Sequence, residues 1–187
     1  MDVFEDRLKL EGEYPLEVSL LDSLPTHGQL ALSDNGNENF LKTSLIWHDP
    51  VEIDELDNIG LELKRQDLKI SLLLDMVGEL LVKQVQLPPV LGLTMNVSGM
   101  EYEGPESKYK IGNSVQVTLY IAPSFPRALK LFGEIVHSSN SKRIAIKFVG
   151  IGTGVKDRLE KIIFQNHRRT IALEHASEEN REPESSS

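Results

Sequence analysis

The chain has 187 residues, of which 40% are hydrophobic and 26% charged, with a net charge of -9 and no cysteine. That length fits one domain with elaborations, in a globular composition. The acidic balance argues against general nucleic-acid binding, the lack of cysteine excludes a disulfide framework, and no apolar run is long enough to cross a bilayer.

The start, Met1-Asp2-Val3-Phe4-Glu5-Asp6, is acidic where a secretory signal needs a basic segment. A soluble, cytoplasmic protein without membrane insertion is expected. Charge is uneven: residues 1 to 62 hold fifteen acidic and three basic side chains, residues 63 to 173 nine and sixteen. The two parts can attract one another, within a chain or between chains.

Residues 1 to 11 read as an N-terminal arm. Alternation at Leu16, Val18 and Leu20 predicts a strand over 12 to 21. Pro25, Gly28, Asn35 and Gly36 mark 23 to 36 as loop, and 37 to 47 read as a short helix ending near Asp49-Pro50.

No proline interrupts residues 51 to 86, and their apolar spacing alternates threes and fours. Leu56, Ile59, Leu63, Gln66, Ile70, Leu73, Val77, Leu80 and Gln84 hold a heptad a/d register, which predicts a long coiled-coil helix that makes the protein oligomerise. Leu68, Leu72, Leu74, Met76, Leu81 and Val82 widen the stripe beyond a two-stranded seam, so the helix packs on its own domain as well or enters a larger bundle. The other arrangement is an intramolecular hairpin with residues 37 to 47, which are too few to cover it. Gln66 and Gln84 place polar groups in the seam, a device that fixes register or strand number.

Leu87-Pro88-Pro89 ends the helix. Strands are predicted at 90 to 96, 100 to 103, 114 to 121, 129 to 137 and 143 to 148, separated by Gly, Pro and Ser turns; with the earlier strand they suggest a small antiparallel barrel. A final helix is predicted over 155 to 173, and the acidic, serine-rich residues 174 to 187 are expected to be disordered. The organisation is thus α+β: one domain over 12 to 173, with a helical oligomerisation insert at about 37 to 86 and a barrel plus final helix at about 90 to 173.

Gly150-x-Gly152-x-Gly154 has the wrong spacing and place for a dinucleotide fingerprint, and reads as a turn from sheet into helix. His27, His48, His137, His167 and His175 form no metal-ligand pattern. No catalytic residue set, metal site or cofactor is visible, so an enzyme is not expected. Asn166-His167-Arg168-Arg169, with Arg158 and Lys161, forms a basic end of the final helix; complementing the helix dipole is favoured there over binding.

The order of strand, long heptad helix, barrel strands and a helix carrying Leu159-Glu160-Lys161-Ile162-Ile163-Phe164-Gln165-Asn166-His167-Arg168-Arg169 resembles atypical PilZ domains, in which extra heptad helices associate into a tetramer. The resemblance covers 12 to 173, most specifically Leu72 to Pro89 and Val155 to Ala172. It implies a PilZ-like barrel with an inserted heptad helix, a homo-oligomer (a tetramer), and a role in bacterial signalling linked to cyclic di-GMP. Ordinary PilZ domains bind that nucleotide through R-x-x-x-R before the barrel and a [D/N]-x-S-x-x-G turn on it, because guanidinium groups pair with phosphates and stack on guanine. Here Arg7 is followed four residues later by Glu11, and Arg65 to Lys69 falls within the heptad helix. Asn96-Val97-Ser98 begins the second motif but has Glu101 where the glycine belongs, whereas Thr94-x-Asn96-x-x-Gly99 keeps only the glycine. Two lost arginine contacts cost about 1.5 to 3 kcal/mol each.

Two functions follow from the resemblance. One is a regulatory adaptor that has lost or altered nucleotide binding and offers its barrel to a protein partner from a helical oligomer. The other is a cyclic di-GMP receptor with a non-standard pocket drawn from Asn96, Ser98, Gly99, Arg127, Arg168 and Arg169.

Overall fold

The computed structural model describes residues 8–48, 58–104, 109–122, 127–138 and 143–179. In chain order they form β1 (Leu10–Leu21), α1 (His27–His48), α2 (Asn58–Gln84), β2 (Val90–Met95), β3 (Gly99–Glu103), β4 (Ser114–Leu119), β5 (Leu129–Ser138), β6 (Arg143–Val149) and α3 (Thr153–Glu179). The six strands close into an antiparallel barrel in the order β1-β2-β3-β6-β5-β4. Each strand expected from alternation is present, its ends moved by at most two residues.

Closure depends on β1 serving two neighbours in turn. Leu10 to Pro15 pair with β2 and Leu16 to Leu21 with β4. Pro15 stands at the changeover, where its missing amide hydrogen costs the ladder little: its carbonyl accepts from the Tyr120 N–H at 3.1 Å, and the next amide, that of Leu16, donates to the Pro89 carbonyl at 3.0 Å. In β4, Val115, Val117 and Leu119 turn inward and the residues between them face out, the period of two that its sequence carries.

The barrel has one capped mouth. Register pairs Leu10 with Met95, Gly99 with Lys147, and Leu119 with Leu129, so the starts of β1, β3 and β5 share that mouth with the ends of β2, β4 and β6. Helix α3 leaves β6 there, and Val155, Leu159 and Ile163, four residues apart, enter the core cluster as a plug.

Helix α1 differs most from expectation, since it starts at His27 and runs through the segment read as loop. Its start is a capping box: the Thr26 N–H donates to Gln29 Oε1 at 2.9 Å, and the Gln29 N–H donates to Thr26 Oγ1 at 3.4 Å. Gly28 and Gly36 cost such a helix about 1 kcal/mol each. Burial of Phe40 and Leu41 in the core cluster offsets this at about 1.5 to 3 kcal/mol per side chain. Asn37 acts like an added strand residue at the start of β5, its Nδ2 donating to the Lys130 carbonyl at 2.6 Å and its Oδ1 accepting from the Lys130 N–H at 3.0 Å.

Among the described residues α1 packs on β5 and α3 rather than along α2, with Phe40 and Leu41 in the core cluster and Leu32 left exposed. The apolar side chains of α2 are exposed, except Leu74 and Val82, which are half-buried. The predicted start of the long helix at residues 51 to 57 lies outside the described residues. Helix α3 also runs past the expected end, to Glu179, since Ala172, Leu173, Glu174 and Ala176 are strong helix formers that outweigh the acidic composition. The expectation of disorder is therefore corrected for 174 to 179, and 180 to 187 lie outside the described residues.

Candidate functional site at the barrel mouth

The turn from β2 to β3 is built around Asn96, which is 2% exposed. Its Oδ1 accepts from the Ser98 N–H at 2.7 Å and the Gly99 N–H at 3.1 Å, an Asx turn, while its own N–H donates to the Gly99 carbonyl at 3.0 Å. The Ser98 carbonyl accepts from the Phe148 N–H at 2.9 Å, which fixes the turn to β6. The side-chain oxygen of Asn96 is thus committed to the fold. Its Nδ2 is buried with no hydrogen-bond partner among the described residues.

A cleft of about 660 Å³ lies between this turn and α3. Its apolar surface comes from buried Val97 and Ile163 and from the exposed edges of Leu8 and Phe164. Asp157, Glu160 and Lys161 bring charge to it, and Asn96 completes the lining. A second hollow of about 480 Å³ shares Leu8 and continues along α3 past Asn166, His167 and Thr170.

Of the expected ligand residues, Asn96, Ser98 and Gly99 come together in the turn. Arg168 stacks on Phe164 at 5.8 Å, which brings it to the cleft edge, and Arg169 follows, exposed on the same helix. Arg127 sits elsewhere on the mouth, 5.9 Å from the Phe40 ring of α1. Because α3 continues to Glu179, Asn166 to Arg169 lie inside the helix, and the expected dipole role at a C-terminus is corrected. The cleft walls Leu8, Val97 and Phe164 were not expected from sequence, because each reads singly as core or surface.

The three glycines after β6 do more than turn the chain. Gly150 has φ +73°, a left-handed conformation that suits the turn expected there. A Cβ at Gly150 would lie 2.9 Å from Leu30, one at Gly152 would collide with Asp34, and one at Gly154 would lie 2.7 Å from Glu38. Leu30, Asp34 and Glu38 are successive turns of one α1 face, so the glycines form a track on which α1 rests. Asp34 Oδ1 accepts from the Gly152 N–H at 2.8 Å, and Glu38 pairs with Arg158 at 3.0 Å.

The other candidate surface is α2, about 40 Å long at 1.5 Å per residue. Of the expected seam, Leu56 lies outside the described residues, and Ile59, Leu63, Gln66, Ile70, Leu73, Val77, Leu80 and Gln84 all lie exposed on the helix. Leu73 is 61% and Leu80 58% exposed. Among the described residues, no helix is long and apolar enough to cross a membrane.

A crystal structure from Xanthomonas campestris, described as a pathogenic protein with a tetrameric PilZ domain self-assembled via an unusual helical bundle, shares this fold. The TM-score is 0.69 at 24% identity, over 90% of this chain and 93% of that one. No curated protein sequence matches the chain. The family model "Atypical PilZ domain, cyclic di-GMP receptor" matches residues 49–175. Strand β1 and helix α1 precede the matched segment, yet they complete the barrel and occupy its glycine track. With the six-stranded barrel, the plugging helix and a family match over more than half its length, the chain belongs to the atypical PilZ domain family.

Proposed function

We propose that this protein is a non-enzymatic signalling adaptor of the cytoplasm. It assembles through α2, as a tetramer, and offers its barrel mouth to a protein partner. Residues 12 to 173 then act as one domain, in which the helical insert gathers chains and the barrel with α3 carries the recognition surface. The observation that carries this reading is the uncovered apolar surface of α2, with Ile59, Leu63, Ile70, Leu73, Val77 and Leu80 exposed in heptad register. Each such side chain gains about 1.5 to 3 kcal/mol on burial, so gathering helices is strongly favoured. The relative from Xanthomonas campestris, a tetramer by a helical bundle, supports the same mode.

Light scattering tests the assembly. The unaltered protein is expected as one discrete oligomer, and Leu73→Asp with Leu80→Asp as a smaller, folded species, because charge buried in the seam is costly. A monomeric unaltered protein would remove the adaptor reading.

A second reading, a cyclic di-GMP receptor, is favoured by the description of the family and by one observation: the unpartnered Asn96 amide beside a cleft with arginine at its edge. Calorimetry with cyclic di-GMP decides it. Heat of binding that is lost in Arg168→Ala would establish a receptor, and no heat at high micromolar nucleotide leaves the adaptor alone.

A further inference from the structure

The geometry points to the cleft between the β2–β3 turn and α3 as a docking groove for a charge-polarised amphipathic peptide segment of a partner protein. This rests on the adaptor reading and gives it a place and a chemistry. Three observations carry it.

The first is shape and apolarity. Val97 and Ile163 are buried in its lining, and Leu8 and Phe164 add exposed apolar surface; Phe164 is 48% exposed. A half-exposed phenylalanine beside a cleft of about 660 Å³ is an anchor point of the kind that apolar side chains of a peptide fill. The second is the buried Asn96 Nδ2, a donor with no acceptor among the described residues; a peptide carbonyl supplies what it lacks.

The third is charge order along α3. Asp157 and Glu160 bring negative charge to one end of the groove, Lys161 follows them in the lining, and Arg168, stacked on Phe164, adds positive charge toward the other end, so the sign changes from acidic to basic along α3. Glu160 and Arg168 are eight residues apart on α3, about 12 Å at 1.5 Å per residue. The occupant therefore carries a basic residue at one end of its apolar face and an acidic residue at the other. A fully anionic ligand would meet Asp157 and Glu160 and be repelled at that end.

The probe is a fluorescent peptide of about twelve residues, about 18 Å as a helix, with a leucine stripe, arginines in one half and glutamates in the other. A comparison peptide keeps the stripe and carries glutamate throughout. The polarised peptide is expected to bind the oligomeric full chain at least tenfold more tightly than its comparison. Phe164→Asp and Leu8→Asp each reduce that affinity at least tenfold without changing the oligomer mass. Asp157→Lys with Glu160→Lys removes the preference between the two peptides. The proposal is overturned if both peptides bind alike, or if neither Phe164→Asp nor Leu8→Asp weakens binding. Cross-linking in lysate separates it from the adaptor reading. A partner held equally by the unaltered chain and Phe164→Asp sinks the groove and leaves the adaptor, whereas peptide binding with no partner captured by either sinks the adaptor and leaves the groove.

Discussion

Asp34 of α1 caps α3 from outside that helix: its Oδ1 accepts from the Gly152 N–H at 2.8 Å, and a Cβ on Gly152 would run into the same carboxylate. Gly152 is the residue before the first helical position, and its carbonyl accepts from the Lys156 N–H at 3.1 Å, so Asp34 places its carboxylate at the positive end of α3. One contact therefore ties helix start to helix packing.

Gly152→Ala is expected to lower stability by about 1 to 3 kcal/mol through overpacking, and Asp34→Ala by about 1 kcal/mol through loss of the cap. Together they should cost less than their sum, because removing the carboxylate makes room for the methyl group. Urea unfolding of the four proteins measures this coupling.

Two neighbours on α1 should behave oppositely to what charge suggests. Asn37→Ala leaves both Lys130 backbone groups without their partner in a part-buried place and is expected to cost about 1 to 3 kcal/mol. Glu38→Ala breaks only the partly exposed pair with Arg158 and should cost under about 1 kcal/mol. The same unfolding experiment ranks them.

Tyr102 makes stability sensitive to alkali. Burial first, then the nearby Tyr109, push its phenol well above the ordinary 10.0, although the hydroxyl has no partner in hydrogen-bond geometry among the described residues. The folded state holds this proton more tightly than the unfolded chain does. The contribution is thus intact below about pH 10 and is lost as pH rises from there toward the folded value. Tyr102→Phe should flatten that loss in unfolding followed from about pH 8 to about pH 11, and cost under about 1 kcal/mol at neutral pH.

Gln66 and Gln84 stand in the exposed heptad seam of α2. In the proposed assembly, Gln66→Leu with Gln84→Leu should raise resistance to urea while broadening the mass distribution, since apolar seams tolerate several registers and strand numbers. Sedimentation across a concentration series measures both.

Local pattern exposed the barrel and the heptad helix in advance. Strand alternation at Val115, Val117 and Leu119 and the seam from Ile59 to Gln84 follow from periods of two and of three-and-a-half residues. The first half of α1 was hidden because its glycines and Asn35 read as loop punctuation, whereas its stability comes from contacts far along the chain. Asn37 bonds to Lys130, Asp34 to Gly152, and Leu30 lies over Gly150. Of the candidate site, the turn at Asn96 was legible as a degenerate motif. The cleft was not, since Leu8, Val97 and Phe164 meet only through tertiary folding.

In the closed ring of strands, β1 bonds to β2 with its first half and to β4 with its second, so among the described residues no strand has a whole side unpaired and the open backbone is confined to half-strand stretches. A partner that adds a strand of its own, one way in which sheets recruit extended peptides, therefore meets only short stretches of unpaired backbone. Side chains on helix faces and at the turns offer a larger surface for association than those stretches do. A substitution at those surfaces can then change a partner without disturbing the ladder that holds the barrel together.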